Sequence, residues 1–126
     1  MKKSYLAGLI IIGLLVLAGW FLTTRQTSPT ANTTAASATV EMKENSFEPE
    51  TLTVKKGTTV EFKNMDKVAR WPASNLHPTH QIYPQFDVRK PVEKGQSWQF
   101  TFDKAGEWKY HDHLIPSIRG TIRIGE

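Results

Sequence analysis

The chain has 126 residues, 22% of them charged, and it contains no cysteine. This absence excludes a disulfide framework and any thiolate metal ligand within the chain. The net charge is +4, but three of the 16 basic residues and none of the 12 acidic ones precede residue 40, so the rest of the chain carries only about +1 and offers no basic patch for nucleic acid.

The first predicted element is an apolar segment near the N-terminus. Residues 5–22 carry no charge, and about 18 residues at about 1.5 Å per residue come close to spanning the hydrocarbon core of a bilayer. Lys2 and Lys3 precede this segment and Arg25 follows it, so the positive charges favour a cytoplasmic N-terminus with the rest of the chain outside. A cleaved secretory signal is the alternative, and it exports the chain to the same side. We predict an N-terminal transmembrane helix that serves as a membrane anchor over residues 1–22.

A flexible linker is predicted to follow the anchor. Residues 23–39 are rich in Thr, Ser and Ala, a composition that cannot bury enough apolar area to offset the entropy lost on ordering. The linker would hold a domain of residues 40–126 on the extracytoplasmic side, which is the periplasm or the cell surface.

Short strands are predicted from Val40 onward, because apolar residues alternate there with polar ones in short runs that turn residues separate. The alternating sets are Leu52 and Val54, Val60 and Phe62, Trp98, Phe100 and Phe102, Trp108 and Tyr110, and Ile122 and Ile124. Several strands at this spacing indicate an all-β sandwich or barrel. Trp71, Trp98, Trp108 and Tyr110 are expected to belong to its core.

A long irregular segment interrupts this pattern and carries two histidines. Residues 65–94 have no clean period and include four prolines, and an ordered loop of that length in a small domain is usually functional. The loop contains His77 and His80. The other two histidines, His111 and His113, follow the strand that begins at Trp108.

Two halves of the domain carry recognisable motifs. The first half is FEPETLTVKKGTTVEFKN over residues 47–64, and the second comprises KGQSWQFTF over 94–102, AGEWKYH over 105–111 and PSIRGTI over 116–122. These motifs resemble those of the cupredoxin family, which includes amicyanin and plastocyanin. The resemblance covers residues 40–126. It implies a Greek-key β-sandwich with a metal site at one end.

The sequence departs from that family at the ligands. A blue-copper centre uses a histidine of the middle loop, then Cys, His and Met around the last loop. In the register of the family, the cysteine position holds Asp112, the second histidine position Ile115 and the methionine position Ile118. A blue-copper centre is therefore excluded. The segment Arg70-Trp71-Pro72 also differs from the family's usual loop, and the sequence offers no reason for it.

The histidines predict a different metal site. His77 and His80 lie in one segment and His111 and His113 in another, and the fold implied by the resemblance brings the two segments together. Imidazole suits Cu(II), Zn(II) and Ni(II), and the strand over residues 108–113 is similar to the paired-histidine strand of multicopper oxidases. Asp112 is a further candidate ligand, or else an acceptor of hydrogen bonds from loop amides.

These observations favour a membrane-anchored, extracytoplasmic copper-binding protein that acts in copper handling. Cu(II) is expected over Cu(I), zinc is the alternative metal, and a protein partner for copper transfer is a further expectation. Two other hypotheses stay open: a metal-free interaction module, and a redox or oxidase subunit whose copper site a neighbouring chain completes. No hydrolase or transferase motif is present, so an enzyme is not favoured but remains undecided.

Overall fold

The computed structural model describes residues 37–126. The predicted anchor over residues 1–22 and most of the predicted linker lie outside the described residues. Within residues 37–126, no helix is long and apolar enough to cross a membrane.

The described residues form eight β-strands. They are β1 (Ser37–Met42), β2 (Phe47–Glu48), β3 (Thr51–Lys55), β4 (Thr58–Asn64), β5 (Pro72–Ser74), β6 (Ser97–Phe102), β7 (Gly106–Asp112) and β8 (Arg119–Gly125). The prediction of an all-β domain is confirmed, and each alternating apolar set singled out in the sequence lies in a strand. The tight turn between β3 and β4 uses Gly57 with φ of 85°, a left-handed conformation that glycine adopts without a steric cost.

The strands build two four-stranded sheets. One has the order β2-β1-β4-β6 and the other the order β3-β8-β7-β5. β1 pairs parallel with β4, and β3 pairs parallel with β8, whereas the remaining neighbours are antiparallel. β5 is therefore a three-residue strand at the edge of the second sheet.

An aromatic-rich core fills the space between the sheets. Its fully buried members include Val40, Met42, Phe47, Val60, Phe62, Phe86, Phe102, Tyr110 and Ile122. The expectation that Tyr110 belongs to the core is met, while Trp71, Trp98 and Trp108 are partly buried and pack against it. Burial at about 25 cal/mol per Å² of apolar surface makes this cluster the main source of stability.

Two details were not predicted. β1 begins at Ser37, so it includes the last residues of the predicted linker, because residues 37–39 pair with residues 59–61 of β4. β5 lies inside the segment that the sequence analysis described as a loop. Its three residues pair with Tyr110, His111 and Asp112 of β7, and this pairing brings the two histidine segments together.

Candidate metal centre

β7 orients one pair of histidines. Side chains alternate between the two faces of a strand, and Tyr110 and Asp112 are fully buried on the face toward the sandwich interior. His111 therefore lies on the opposite face, and His113 follows directly after the strand. The amide of His113 donates to the carbonyl of Trp71 at 2.7 Å, which extends the β5–β7 pairing by one hydrogen bond.

The second pair lies in the loop that follows β5 and covers this face of β7. The Ser74 hydroxyl donates to the His80 carbonyl at 2.9 Å, and the His80 amide donates to the Leu76 carbonyl at 2.6 Å. His80 has φ of 53°, which is uncommon for a residue other than glycine. These hydrogen bonds hold it in that conformation and bring the rings of His77 and His80 to those of His111 and His113.

The four imidazoles form one cluster. His77 Nδ1 lies 3.2 Å from His111 Nε2, and His80 Nε2 lies 3.0 Å from His113 Nδ1. One nitrogen from each ring lies within 4.8 Å of the other three. Nitrogens bound at about 2.0–2.1 Å to a tetrahedral ion stand about 3.3 Å apart, so small side-chain adjustments would centre all four on one ion. His80 and His111 are buried, whereas His77 is exposed at the edge of the cluster.

Hydrogen bonds behind the cluster orient two of the rings. His111 Nδ1 lies 2.9 Å from Asn75 Oδ1, and His80 Nδ1 lies 2.8 Å from Asp87 Oδ2. Both oxygens are acceptors, so the network assigns the proton to Nδ1 of each ring and leaves the Nε2 lone pairs toward the cluster. Metal-bound histidines usually donate their second ring N–H to such a carboxylate or carbonyl.

Trp71 and Asp87 link this support to the second histidine pair. Trp71 Nε1 donates to Asp87 Oδ1 at 2.8 Å, and the Trp71 ring packs on His113 with ring centroids 4.9 Å apart. Burial would raise the pKa of Asp87, but hydrogen bonds from His80 and Trp71 outweigh it and hold the pKa below its ordinary value. Asp87 is therefore a carboxylate at neutral pH.

Asp112 lies apart from the cluster, on the other face of β7. Its Oδ2 accepts from Arg70 Nη1 at 3.2 Å, and its Oδ1 accepts from the amides of Trp71 at 3.2 Å and Leu114 at 2.9 Å. Arg70 is itself buried and also pairs with Asp66. Of the five predicted site residues, the structure brings the four histidines together, and Asp112 has the role that the sequence analysis gave as its alternative.

The environment of the cluster favours neutral imidazoles. Burial lowers the pKa of His111 to about 4, and repulsion from the neighbouring rings of His80, His77 and His113 acts in the same direction. The pKa of His113 is lowered by burial and then by its histidine neighbours. Because protons compete with metals for imidazole nitrogen, these two rings offer free lone pairs at neutral pH.

The donor set fits a borderline transition metal. It comprises four imidazole nitrogens with no thiolate and no carboxylate, and imidazole suits copper, zinc and nickel. Across residues 37–126 no second group of three or more histidines and carboxylates has the spacing to hold an ion.

The sequence analysis gave no role to three residues that support the site or its strand, namely Asn75, Asp87 and Arg70. Asn75 and Asp87 are polar residues of the loop, and nothing in their spacing distinguishes them from solvent-exposed loop residues. Arg70 had a visible signal, because a loop that departs from the family pattern includes it, and its buried partner Asp112 stands at the family's cysteine position. The pairing of Arg70 with Asp112 is thus the physical reason why this loop differs from the family pattern.

Comparisons with known proteins agree with the fold. The sequence matches the family described as Cupredoxin-like domain over residues 12–124, and no curated protein matches it. A purple cupredoxin from Nitrosopumilus maritimus is 19% identical, with a TM-score of 0.58 over 70% of this chain and 99% of that one. An oxidized amicyanin variant is 22% identical, with a TM-score of 0.62 over 71% of this chain and 82% of that one.

A copper-containing nitrite reductase from Thermus scotoductus is 29% identical, with a TM-score of 0.59 over 71% of this chain, which spans only 22% of that enzyme. The family match covers most of the chain, and the solved structures share its two-sheet architecture. The chain belongs to the cupredoxin-like domain family.

Proposed function

We propose that this protein binds one copper ion through His77, His80, His111 and His113 and acts in extracytoplasmic copper handling from a membrane anchor. The observation that carries the proposal is the convergence of four imidazoles, one nitrogen of each within 4.8 Å of the others. Hydrogen bonds to Asn75 and Asp87 orient two of the rings before any ion arrives.

Copper is the favoured metal for two reasons. Among divalent first-row ions, Cu(II) binds nitrogen sites most tightly, and a site of imidazoles without sulfur favours Cu(II) over Cu(I). The chain also belongs to the cupredoxin-like domain family, and one solved structure similar to it is a copper-containing nitrite reductase. Zinc is the alternative. The centre would be non-blue, because a blue centre needs a cysteine thiolate and the chain has no cysteine. The family's cysteine position holds Asp112, which pairs with Arg70 on the other face of β7.

The surroundings of the centre support transfer of copper to a protein partner. Leu76 beside His77, and Leu114 and Ile115 after His113, are 63%, 46% and 37% exposed. These exposed apolar residues flank proposed ligands in the sequence, and exposed apolar surface beside a site is typical of contact sites. The extracytoplasmic location and the anchor are predictions from the basic and apolar pattern of residues 1–25.

The redox-subunit hypothesis has less support. That hypothesis assumed that one chain supplies too few ligands and that a neighbouring chain completes the site. The four imidazoles of one chain suffice for a four-coordinate site.

The deciding experiment measures metal binding by the full-length chain, purified without a histidine tag. We expect one Cu(II) per chain, a raised melting temperature with copper, since binding to the native state alone stabilises it, and no intense thiolate-to-copper absorption band. The double variant His111→Ala, His113→Ala should lose stoichiometric binding, because it removes two of four ligands.

A double substitution on the exposed face of β6, Gln99→Ala with Thr101→Ala, keeps the same spacing away from the centre and should bind as the parent does. Equal copper binding by the histidine variant and the parent would contradict the proposal. Absence of binding by the parent would favour the metal-free interaction module.

A further inference from the structure

A cavity of about 220 Å³ adjoins the histidine cluster. Its lining residues are Asn75, Leu76, His77, His111, Pro116 and Arg119. Two of the four proposed ligands therefore face open space on one side. The volume equals that of about seven waters and is smaller than the 300–1,000 Å³ typical of pockets for drug-sized molecules, so only a small ligand fits.

Arg119 supplies positive charge to this cavity. Arg119 and His111 are directly opposite in the antiparallel pair of β7 and β8, so their side chains project from the same face of the sheet. Arg119 Nε donates to the Pro116 carbonyl at 3.3 Å. Within residues 37–126 its guanidinium makes no ion pair with a carboxylate, so its remaining N–H groups are available to a ligand.

No acidic residue lines this cavity, although Glu50 lines a neighbouring cavity that Arg119 also borders. Four neutral imidazoles leave the charge of a divalent ion uncompensated, and none of the six lining residues is acidic. The carboxylate that touches the cluster, Asp87, reaches it through His80 and is not part of the lining. Asp112 is turned toward Arg70 on the other face of β7. Arg119 is therefore the one charged side chain of the cavity lining, and a bound divalent ion would add to its positive charge.

We propose that this cavity binds a small anion, a carboxylate or a pseudohalide, as a fifth ligand between the Arg119 guanidinium and a metal ion held by the four histidines. The inference rests on the proposed metal site and adds to it an open side with its own ligand. A charged donor such as a guanidinium contributes more to anion binding than a neutral one, since hydrogen bonds to ionised groups are roughly twice as strong. The centre would then be accessible to exogenous ligands, unlike a closed structural metal site.

The test uses the full-length chain loaded with Cu(II) and titrated with sodium azide. We expect saturable growth of an azide-to-copper charge-transfer band and a change in the electron paramagnetic resonance spectrum. The variant Arg119→Gln should load copper as the parent does and bind azide about five- to tenfold more weakly, because one charged donor is lost. Arg119→Lys, which keeps the charge, should recover part of the affinity.

Arg123→Gln is the matched control, because Arg123 lies on the same strand but pairs with Glu107 at 3.0 Å, away from the cavity. Its azide affinity should equal that of the parent. If the parent loads copper and azide changes neither spectrum, or if Arg119→Gln binds azide as the parent does, the anion site is wrong and the metal site stands. If calorimetry detects no copper binding by the parent, both proposals fail together.

Discussion

The two histidine pairs reach the same centre by different means. His111 and His113 are directed by the regular alternation of β7, whose other face is anchored in the sandwich through Tyr110 and Asp112. The loop pair, His77 and His80, has no such strand and depends on local hydrogen bonds. One half of the centre is therefore tied to the stability of the fold and the other half to a small polar network. Substitutions that weaken the first should lower stability, and substitutions that weaken the second should lower metal affinity.

The largest expected effect comes from breaking the anchor of the strand pair with Arg70→Met. The substitution leaves the buried carboxylate of Asp112 without its ion-pair partner, and removing one side of a buried ion pair costs about 3–5 kcal/mol. Denaturant unfolding of the metal-free chain measures the loss. Arg123→Met removes the exposed pair with Glu107 and should cost at most about 1 kcal/mol. Similar losses of stability in Arg70→Met and Arg123→Met would contradict the role of the buried Arg70 pair as the anchor of β7.

A smaller effect, on affinity instead of stability, is expected from Asp87→Asn on the loop side. An amide accepts less strongly than a carboxylate from His80, and loss of such an outer hydrogen bond typically lowers metal affinity about 10–100-fold. Competition calorimetry with Cu(II) measures it. Asp103→Asn is the control, because Asp103 accepts from the Tyr83 hydroxyl away from the centre. Unchanged copper affinity in Asp87→Asn would show that the loop network does not tune the site.

A third expected effect, which appears only below about pH 6.5, is a pH dependence that His111 contributes to the metal-free fold. Burial lowers its folded pKa to about 4, against about 6.5 for an unperturbed histidine. The unfolded chain therefore binds the proton more readily, so this stabilisation is complete above pH 6.5 and is lost as the pH falls toward 4. At about 1.4 kcal/mol per unit, a difference of about 2.5 units is on the order of 3 kcal/mol, so melting temperatures should fall by roughly 10 °C or more across that range. A His111→Gln variant should show a flatter profile, and an identical slope would refute the assignment.

The sequence predicted the strand half of the centre better than the loop half, and the reason is physical. Period-two alternation fixes the relative direction of His111, Asp112 and His113, so the spacing alone places both rings on one face of the strand. The same alternation allowed Asp112 two roles, because a sequence does not reveal whether a cation lies on the other face. The ion pair with Arg70, which lies 42 residues earlier in the chain, gives Asp112 its structural role.

The loop half follows from tertiary contacts that no local pattern carries. Ser74, Asn75 and Asp87 position His80 and His111 through side-chain hydrogen bonds, and polar loop residues usually face solvent instead. β5 was missed for a related reason. Three residues that begin with a proline carry no alternation to detect, and they form a strand only because β7 offers an unpaired edge.

The position of β5 has a consequence for how the protein opens. Short strands at a sheet edge separate from their neighbours far more often than the whole domain unfolds. His111 lies in β7 and His113 directly follows it, whereas His77 and His80 lie in the loop that leaves β5. An ion between them would therefore clamp this edge to the rest of its sheet. Amide hydrogens of the clamped edge, such as those of Ser74 and His80, would then exchange with solvent more slowly, while those of β4 in the opposite sheet would keep their rates. Metal release would accordingly be governed by local opening of one sheet edge, and the sandwich itself would stay closed.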